Sequence, residues 1–455
     1  MQKTLVNLFE NKIFLILIIS VIFAFTGALS AILDFSFIFA AIAAFGALSL
    51  ILFFRDPLML LFVLIITRMS LDYSSSLIYL EISKNIFLSL SQFMGIAVAI
   101  LGLFLILFKR HELKNFPLVW PFLIVFFWGS ATFFYSISPK DSFQELIRIF
   151  DLLVLSALAF ASVKNIFHFK KLLLAIFISS IIPVAAGIYQ LIFHIGFQDE
   201  LVSIPRIYGT FSHPNVLSLY IFSVIVLAVL YYFTFAKSKE SRFLVSIFIF
   251  GNIAMLYFTY TRIAWVALIV FLGILFFTRF KKMLIPLIFI PLVLFVFSEG
   301  FRDRIDETLN PPIDSSITWR KILWKDTAKK TIGDGRTLLG YGMNTFPVVS
   351  ENLRGIQFGS NDPHNDFVKF FVEGGLIGLA IFIIYLGTVI AIIWRRKQLF
   401  PKDSKTAFIY EIILILNLAL IVSSLTDNIF KNTPVQWISW TILGASLALA
   451  KQKKK

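Results

Sequence analysis

Apolar residues occur along this chain in long runs that short polar segments separate. Most runs hold about 17–25 residues, the length that a helix needs to cross about 30 Å of hydrocarbon. Only helices and closed barrels satisfy every backbone hydrogen bond in lipid, and these runs are too long and too uniformly apolar for barrel strands. The pattern therefore predicts an all-α polytopic membrane protein with about 12–14 transmembrane helices.

The runs and one long polar stretch divide the chain into three parts. Residues 1–298 hold the first eleven predicted spans, residues 299–366 form a long loop that contains short helices, and residues 367–455 hold the last spans and a basic tail. The first run resembles a signal sequence, but a second run begins at Phe35, so we expect an uncleaved signal anchor. The candidate spans are residues 13–33, 35–54, 56–70, 86–108, 117–134, 146–163, 171–195, 214–235, 243–259, 262–278, 283–298, 367–394, 407–424 and 434–450.

Composition agrees with this pattern and removes several classes of function. Of the 455 residues, 58% are hydrophobic, 54 are phenylalanine, and the mean hydropathy is +0.88. The chain has no cysteine, which excludes disulfides, zinc–thiolate sites and thiol nucleophiles. The formal charge of +15 lies mostly in short loops, where it sets orientation and contacts anionic head groups. We therefore expect membrane lipids, and no nucleic acid, as partners.

The positive charges predict which side of the membrane each loop occupies. With the N-terminus in the cytoplasm and fourteen alternating spans, 24 of the 41 lysines and arginines fall on the cytoplasmic side. Nine of the other 17 lie in the long loop, and long loops cross the membrane largely regardless of charge. The positive-inside rule therefore places residues 299–366 on the non-cytoplasmic side. A chain of twelve spans keeps this result only if spans are lost in adjacent pairs that do not separate the loops.

Three polar clusters then share the non-cytoplasmic face. They are Arg206-Ile-Tyr-Gly-Thr-Phe-Ser-His213-Pro-Asn215, Tyr260-Thr-Arg262 and Asp362-Pro-His364-Asn-Asp366. Arginine binds phosphate through a planar fork of N–H groups, and histidine is the side chain best suited to proton transfer near neutral pH. Two arginines and one histidine at one bilayer face predict a site that holds a phosphorylated lipid and deprotonates an incoming group.

Each of these residues also has a structural interpretation. His364 is a candidate general base, yet it lies at a helix start that a neighbouring Asp or Asn can cap. Arg206 and Arg262 can bind phosphate, or they can extend from the ends of spans to lipid head groups. The order Ser-His213-Pro-Asn fits a helix N-terminus, which favours a structural role for that histidine.

Two further polar residues could support His364. Glu373 lies inside the next span, where we expect it to pair with Lys369 because unpaired charges are costly in the membrane, or to support His364 from beneath. Asn365 is the other candidate for this supporting role, together with His213.

The long loop contains one clear amphipathic helix, around residues 319–330. Its apolar face would hold Trp319, Ile322, Leu323 and Ala328, and its wet face Arg320, Lys321, Lys325 and Lys329. Such a helix suits either the head-group layer or a cap on the bundle. The segment from Gly333 to Gly342 is rich in glycine but lacks the Gly-Lys-Ser/Thr of a P-loop, so we interpret it as a loop of turns. No metal-binding motif and no nucleophile elbow stands out.

Together these residues resemble the O-antigen ligase and polymerase superfamily of bacterial inner membranes. The resemblance covers roughly residues 200–395 well and the rest only as hydrophobic spans. Thr261 stands where the family has a serine before the hairpin arginine, and fourteen spans would exceed the twelve usual for the ligases. The matching segments are Arg206-x-x-Gly-x-Phe-x-His-Pro-Asn215, Thr261-Arg262, Trp324 followed by Gly340-Tyr-Gly-Met-Asn-Thr-Phe346, and His364-Asn-Asp-Phe-Val-Lys-Phe-Phe-Val-Glu373-Gly-Gly-Leu-Ile-Gly378.

The resemblance implies a glycosyltransferase that takes a glycan from undecaprenyl diphosphate at the periplasmic face of the inner membrane. Arg206 and Arg262 would hold the diphosphate, and His364 would activate an acceptor hydroxyl that attacks the anomeric carbon with inversion. Arginines aimed at the growing charge of the leaving diphosphate act where electrostatic stabilisation counts most. The mechanism would need no metal or other cofactor, and the first expected acceptor is the lipid A core, as in an O-antigen ligase.

Other functions remain open from the sequence. A polymerase would transfer the same donor to another lipid-linked glycan, and an O-oligosaccharyltransferase would transfer it to a pilin or another protein serine. A transporter of lipid-linked sugars belongs to a different class. Transporters usually place charges near the middle of the membrane and show internal repeats, whereas the informative charges here cluster at one face.

Overall fold

The described part of the chain is almost entirely helical. A computed structural model describes residues 37–72, 79–83, 86–198, 205–312, 315–354 and 361–450. The first candidate span, residues 13–33, lies outside these residues. Seven helical segments of the described residues are long and apolar enough to cross a membrane, and residues 166–192 count as one of them. The predicted class, an all-α polytopic membrane protein, is confirmed.

Seventeen α-helices and one small hairpin make up the described fold. In chain order they are α1 Phe37–Arg55, α2 Pro57–Ser70, β1 Tyr79–Ser83, β2 Ile86–Ser89, α3 Leu90–Lys109, α4 Val119–Phe133, α5 Pro139–Ser162, α6 Ile166–Ser179, α7 Ile181–Ile192, α8 Pro214–Thr234, α9 Lys239–Phe258, α10 Arg262–Arg279, α11 Leu284–Phe297, α12 Glu299–Leu309, α13 Ser316–Gly333, α14 Phe346–Arg354, α15 Asp366–Lys397, α16 Lys405–Ser423 and α17 Thr433–Leu449. Short 3₁₀ turns follow α3 and α10.

Most predicted spans coincide with observed helices to within about four residues, but three do not. Helix α5 begins at Pro139, seven residues before the span expected at 146–163. The span expected at 171–195 is divided into α6 and α7, which meet at Ser180. Pro183 explains the break, because it lacks the N–H that would continue the helical ladder one turn back. The span expected from residue 86 begins as the antiparallel hairpin β1–β2, and its helix starts only where Ser89 and Gln92 form a capping box.

The centre of the bundle is formed by α5, α8 and α17. Helix α17 is buried along nearly its whole length, and a Cβ placed on Gly444 would lie 2.0 Å from the carbonyl oxygen of Ser156 in α5. Only glycine allows this close approach of the two backbones. Helices α9 and α10 instead expose large apolar side chains, among them Phe250 and Phe277, as expected for contact with lipid tails.

The long loop is packed onto one end of the bundle. Its helices α13 and α14 share a small apolar core with α15, formed by Leu323, Tyr341, Phe346, Val349 and Val372. Of the two positions expected for the amphipathic helix, the structure therefore shows the cap on the bundle. Ile322, predicted for the apolar face, is 46% exposed because the buried side of α13 runs through Leu323, Thr327 and Thr331.

Hydrogen bonds near two glycines, Gly342 of the loop and Gly375 of α15, join the loop to this helix. The helix is kinked at Gly375, whose φ of +61° lies in the left-handed region that favours glycine. At the kink, the N–H of Leu376 donates to the carbonyl of Thr337 at 2.8 Å, and the N–H of Gly342 donates to the carbonyl of Glu373 at 2.8 Å. The segment before α14 therefore replaces hydrogen bonds that the kink removes from the helix, and it fixes the loop above the start of α15.

Candidate active site

His364 lies just before α15, beneath α13. The indole N–H of Trp324 donates to the carbonyl of Pro363 at 2.6 Å, and the Trp319 ring meets the His364 ring edge to face at 6.5 Å. His364 has a φ of +47°, an uncommon conformation for a residue with a Cβ. Such backbone strain persists only where the surroundings enforce it, and it is frequent at functional sites.

Asn365 and Asn428 hold the backbone next to His364. The Asn365 side chain accepts hydrogen bonds from the N–H groups of Phe367 and Val368 and so caps α15. Its own N–H donates to Oδ1 of Asn428 at 3.2 Å. Asn365 therefore fixes the main chain next to His364 as the helix cap, which is the structural interpretation given for this helix start; its supporting role in catalysis stays a prediction.

A carboxylate fixes the orientation of the His364 ring. Nδ1 of His364 lies 3.1 Å from Oδ1 of Asp427, which belongs to the connection between α16 and α17. Because an ionised carboxylate only accepts hydrogen bonds, Nδ1 carries the proton and Nε2 is left as the basic nitrogen. The His364 side chain is 19% exposed, so the ring is held but still accessible.

Asp427 remains ionised although it is almost fully buried. Burial by itself would raise its pKa, but the hydrogen bond from His364 and the positive charge of Arg320 hold the pKa below its usual range. The N–H of Asn428 adds a hydrogen bond to Oδ1 at 2.8 Å. An ionised Asp427 stabilises the positive charge that His364 acquires when it takes a proton.

A hydrogen-bonded chain connects His364 with Arg206. Oδ2 of Asp427 accepts from Nδ2 of Asn215 at 2.9 Å, and Oδ1 of Asn215 accepts from Nη2 of Arg206 at 3.2 Å. The same Nη2 donates to Oγ1 of Thr261 at 3.1 Å, while Nε donates to the carbonyl of Thr259 at 2.9 Å. Arg206 is only 8% exposed. It therefore joins the segment before α8, the hairpin before α10 and the His364 pair into one network.

His213 caps α8 at the edge of this network. Its Nδ1 accepts from the N–H of Asn215 at 3.1 Å, as the capping pattern predicts. Burial, and next the positive charge of Arg206, lowers the pKa of His213 to about 4. His213 is consequently neutral at physiological pH, and it helps to position Asn215.

Arg262 lies at the start of α10 and faces the long loop. Its guanidinium binds both oxygens of Glu307, with Nη1 at 3.0 Å from Oε2 and Nη2 at 3.2 Å from Oε1. It also donates to Thr308 and, at 3.3 Å, to Oγ of Ser316, the first residue of α13. Arg304 binds the same carboxylate at 2.7 Å. The planar fork of Arg262 is thus oriented toward an anion, which in this structure is Glu307.

Glu373 lies deeper in the bundle and does not touch His364. It accepts a hydrogen bond from the N–H of Phe346 at 3.3 Å and lies 3.7 Å from Lys369. Lys369 is closer to Glu145 of α5, at 3.1 Å. The expected Lys369–Glu373 pair is present, and it belongs to a buried network that ties the loop and α5 to α15.

Sequence reasoning missed two residues of the site. Asp427 was not singled out, although its loop falls on the same predicted face as His364. Arg320 was assigned to the wet face of α13, and that assignment is wrong: Nη1 donates to the carbonyl of Thr426 at 3.0 Å and Nε is buried. The exposed positions Lys321, Lys325 and Lys329 agree with the prediction.

Comparison with known families adds an independent line of support. Residues 245–383 match the family model described as O-antigen ligase. The match includes Arg262, Arg320 and His364, whereas Arg206 and Asp427 lie outside it. No curated protein matches the chain. Residues 245–383 are therefore similar to the family described as O-antigen ligase, in agreement with the resemblance seen in the sequence.

Proposed function

We propose that this protein transfers a glycan from undecaprenyl diphosphate to a hydroxyl group of the lipid A core at the periplasmic face of the bacterial inner membrane. The observation that carries the proposal is the His364–Asp427 pair. It supplies a base of fixed tautomer at the end of the bundle where Arg206 and Arg262 also lie.

The chemistry is a single displacement at the anomeric carbon. Nε2 of His364 takes the proton of the acceptor hydroxyl, whose oxygen forms a bond to the anomeric carbon of the glycan. The bond between that carbon and the phosphate oxygen breaks, and undecaprenyl diphosphate leaves with the electron pair. Attack on the side opposite the leaving group inverts the anomeric carbon. A positioned base of this kind contributes about 10²–10⁴-fold to such a reaction.

Arg262 fits the donor half of the site because its fork already binds an oxyanion in a bidentate manner. Phosphate and carboxylate present similar pairs of oxygens to a guanidinium. A donor phosphate would take the place of Glu307, which keeps Arg304 as its second partner. Arg206 contributes positive charge next to Asn215. Hydrogen bonds to Asn215, Thr259 and Thr261 fix the position of its guanidinium.

The description of the matching family favours a ligase over a polymerase. The test is a reconstituted transfer assay with three reactions, each containing purified protein and the lipid-linked glycan. The first also contains lipid A core, the second contains no added acceptor, and the third contains a pilin. A glycan–lipid A product supports the proposal. Longer lipid-linked chains in the tube without lipid A would make the protein a polymerase, and glycosylated pilin would make it an O-oligosaccharyltransferase. Absence of all three products would overturn the transferase.

A further inference from the structure

Helix α15 is longer than the hydrocarbon layer is thick. It holds 32 residues, which at a rise of about 1.5 Å per residue gives about 48 Å, whereas the hydrocarbon core measures about 30 Å. Its last turn carries three basic residues next to the exposed Trp394, and these residue types lie at a membrane interface. A helix needs about 20 residues to cross the layer, so the other hydrocarbon boundary falls near Gly375.

The charged residues of α15 agree with this boundary. Asp366, Lys369 and Glu373 all precede Gly375, and the helix then has no charged residue until Arg395. Charged side chains are costly near the centre of a bilayer. The first segment of α15, before the kink at Gly375, therefore lies outside the hydrocarbon layer, and only the segment after the kink crosses it.

Two leucines of the long loop lie at the level of this boundary. The N–H of Leu376 donates to the carbonyl of Thr337 at 2.8 Å, and the N–H of Ile377 donates to the carbonyl of Leu338 at 3.3 Å. Leu338 is 61% exposed and Leu339 is exposed as well, although both belong to the polar loop. Exposed apolar side chains at this depth lie where lipid tails begin, and not in the aqueous phase.

The end of α4 lies beside these leucines. The hydroxyl of Tyr135 donates to the carbonyl of Leu339 at 2.9 Å, which brings the loop next to Phe134, a side chain that is 88% exposed. Further along the same two helices, Phe127 of α4 and Ile384 of α15 are exposed, as expected for contact with lipid tails. The apolar surface of the loop therefore continues the lipid-facing sides of α4 and α15.

We propose that Leu338, Leu339 and Phe134 insert into the phospholipid leaflet on the side of the long loop and anchor this loop to the membrane surface. Transfer of these apolar side chains from water into hydrocarbon is favourable. Arg336, two residues before Leu338, supplies a positive charge at the level of the lipid phosphates. Because the first segment of α15 separates His364 from the boundary, the anchor determines how far His364 stands from the membrane. The anchor needs neither a glycan donor nor an acceptor, so it goes beyond the proposed function.

The experiment measures the membrane depth of a nitroxide label at Leu338→Cys by electron paramagnetic resonance, in nanodiscs of phosphatidylcholine and phosphatidylglycerol. The chain has no cysteine, so each single variant carries one label. Lys321→Cys, on the exposed side of α13, is the aqueous control, and Ile384→Cys is the control within the hydrocarbon. Oxygen concentrates in hydrocarbon, whereas a nickel chelate stays in water. We expect the nickel chelate to reach the Leu338→Cys label several-fold less than the Lys321→Cys label, and more than the Ile384→Cys label.

Three outcomes would overturn the inference. Equal access of the nickel chelate to the labels at Leu338→Cys and Lys321→Cys would place the loop in water. Protection that appears only after lipid A core is added would assign the surface to the acyl chains of an acceptor. Protection in liposomes that is lost in nanodiscs with one copy of the chain would assign it to a second copy. Leu339→Cys gives the same measurement if Leu338→Cys lowers the thermal stability.

Discussion

His364 combines the local features that a general base needs. Asp427 accepts from Nδ1 and fixes the tautomer, Asn365 fixes the backbone as the cap of α15, and the ring remains partly exposed. A histidine whose second nitrogen donates to a carboxylate is held in one orientation and one tautomer. We therefore expect His364 and Asp427 to act together.

The first prediction concerns the tautomer of His364. In Asp427→Asn the amide can donate to Nδ1, which would move the ring proton to Nε2 and remove the basic nitrogen from the acceptor. We expect kcat to fall by about 10²-fold or more, with donor binding little changed. The matched control is Asp362→Asn, because that carboxylate lies two residues from His364 but pairs with Lys431. Equal kcat values for the two variants would show that Asp427 does not orient the base.

The second prediction concerns the fork of Arg262. Lysine keeps the charge but cannot bind two phosphate oxygens in one plane, so Arg262→Lys should raise the donor KM by about tenfold. Glu307→Gln serves as the comparison, since it removes the anion that Arg262 binds in this structure. If Arg262 only anchors α12, Glu307→Gln should harm transfer as much as Arg262→Lys does. If Arg262 binds the donor, Glu307→Gln should leave donor binding equal or improved.

The sequence predicted individual residues of the site better than their partners. His364, Arg206 and Arg262 could be chosen because their chemistry is unusual at the edge of a membrane. Asp427 and Asn215 could not be paired from the sequence, because their contact joins residues 212 positions apart. The positive-inside rule places the loop of Asp427 on the same face as His364, but only the packing of α17 against its neighbours shows which side chain meets His364.

At the scale of elements, the kink of α15 holds the long loop over the site. A Cβ on Gly375 would lie 2.3 Å from the carbonyl carbon of Leu338, at a φ that other residues rarely adopt. The loop segment before α14 depends on this kink for its hydrogen bonds to Leu376 and Ile377. The helix and the loop are therefore one structural unit, although a polar stretch separates them in the sequence.

The third prediction tests this unit with two glycines of the same helix. Gly375→Ala should lower the free energy of unfolding by about 2 kcal/mol or more and reduce transfer, because both the backbone conformation and the contact with Leu338 are lost. Gly387→Ala is the matched control, since no atom lies within 4 Å of its added Cβ. Thermal unfolding in detergent measures the stability of both variants. Equal unfolding temperatures for the two variants would contradict the role of the kink.

Helices were predictable from the sequence where the length of an apolar run alone defines them. The apolar runs gave α8, α10 and α16 almost to the residue, because a span must cover the hydrocarbon layer. The helices α12 and α14 and the hairpin β1–β2 were not predicted individually, because they are short and their stability comes from contacts with other parts of the chain. The break between α6 and α7 depends on one proline inside an apolar run.

At the scale of the whole molecule, the site lies at one end of a bundle whose orientation the charges predict. The contacts among His364, Asp427, Asn215 and Arg206 place three separate connections at the same end. The positive-inside rule predicts that this end faces away from the cytoplasm. The proposed transfer from undecaprenyl diphosphate at the periplasmic face requires this orientation.

The fourth prediction uses the absence of cysteine from the chain. Single cysteines at two exposed lysines report the two sides without background labelling: Lys321→Cys on α13 and Lys239→Cys at the start of α9. In cells with a permeabilised outer membrane, a membrane-impermeant maleimide should label Lys321→Cys. Lys239→Cys should be labelled only after the inner membrane is disrupted. The reverse pattern would contradict the proposed orientation.

The rate of glycan transfer by His364→Ala, compared with that of the native protein, shows whether His364 is the base. Both proteins would receive undecaprenyl-diphosphate glycan and lipid A core, and donor binding would be measured in parallel. We predict that His364→Ala binds the donor and keeps its thermal stability but forms no glycan–lipid A product above background, because the acceptor hydroxyl has lost its base. Transfer by His364→Ala at the native rate would show that His364 is not the base.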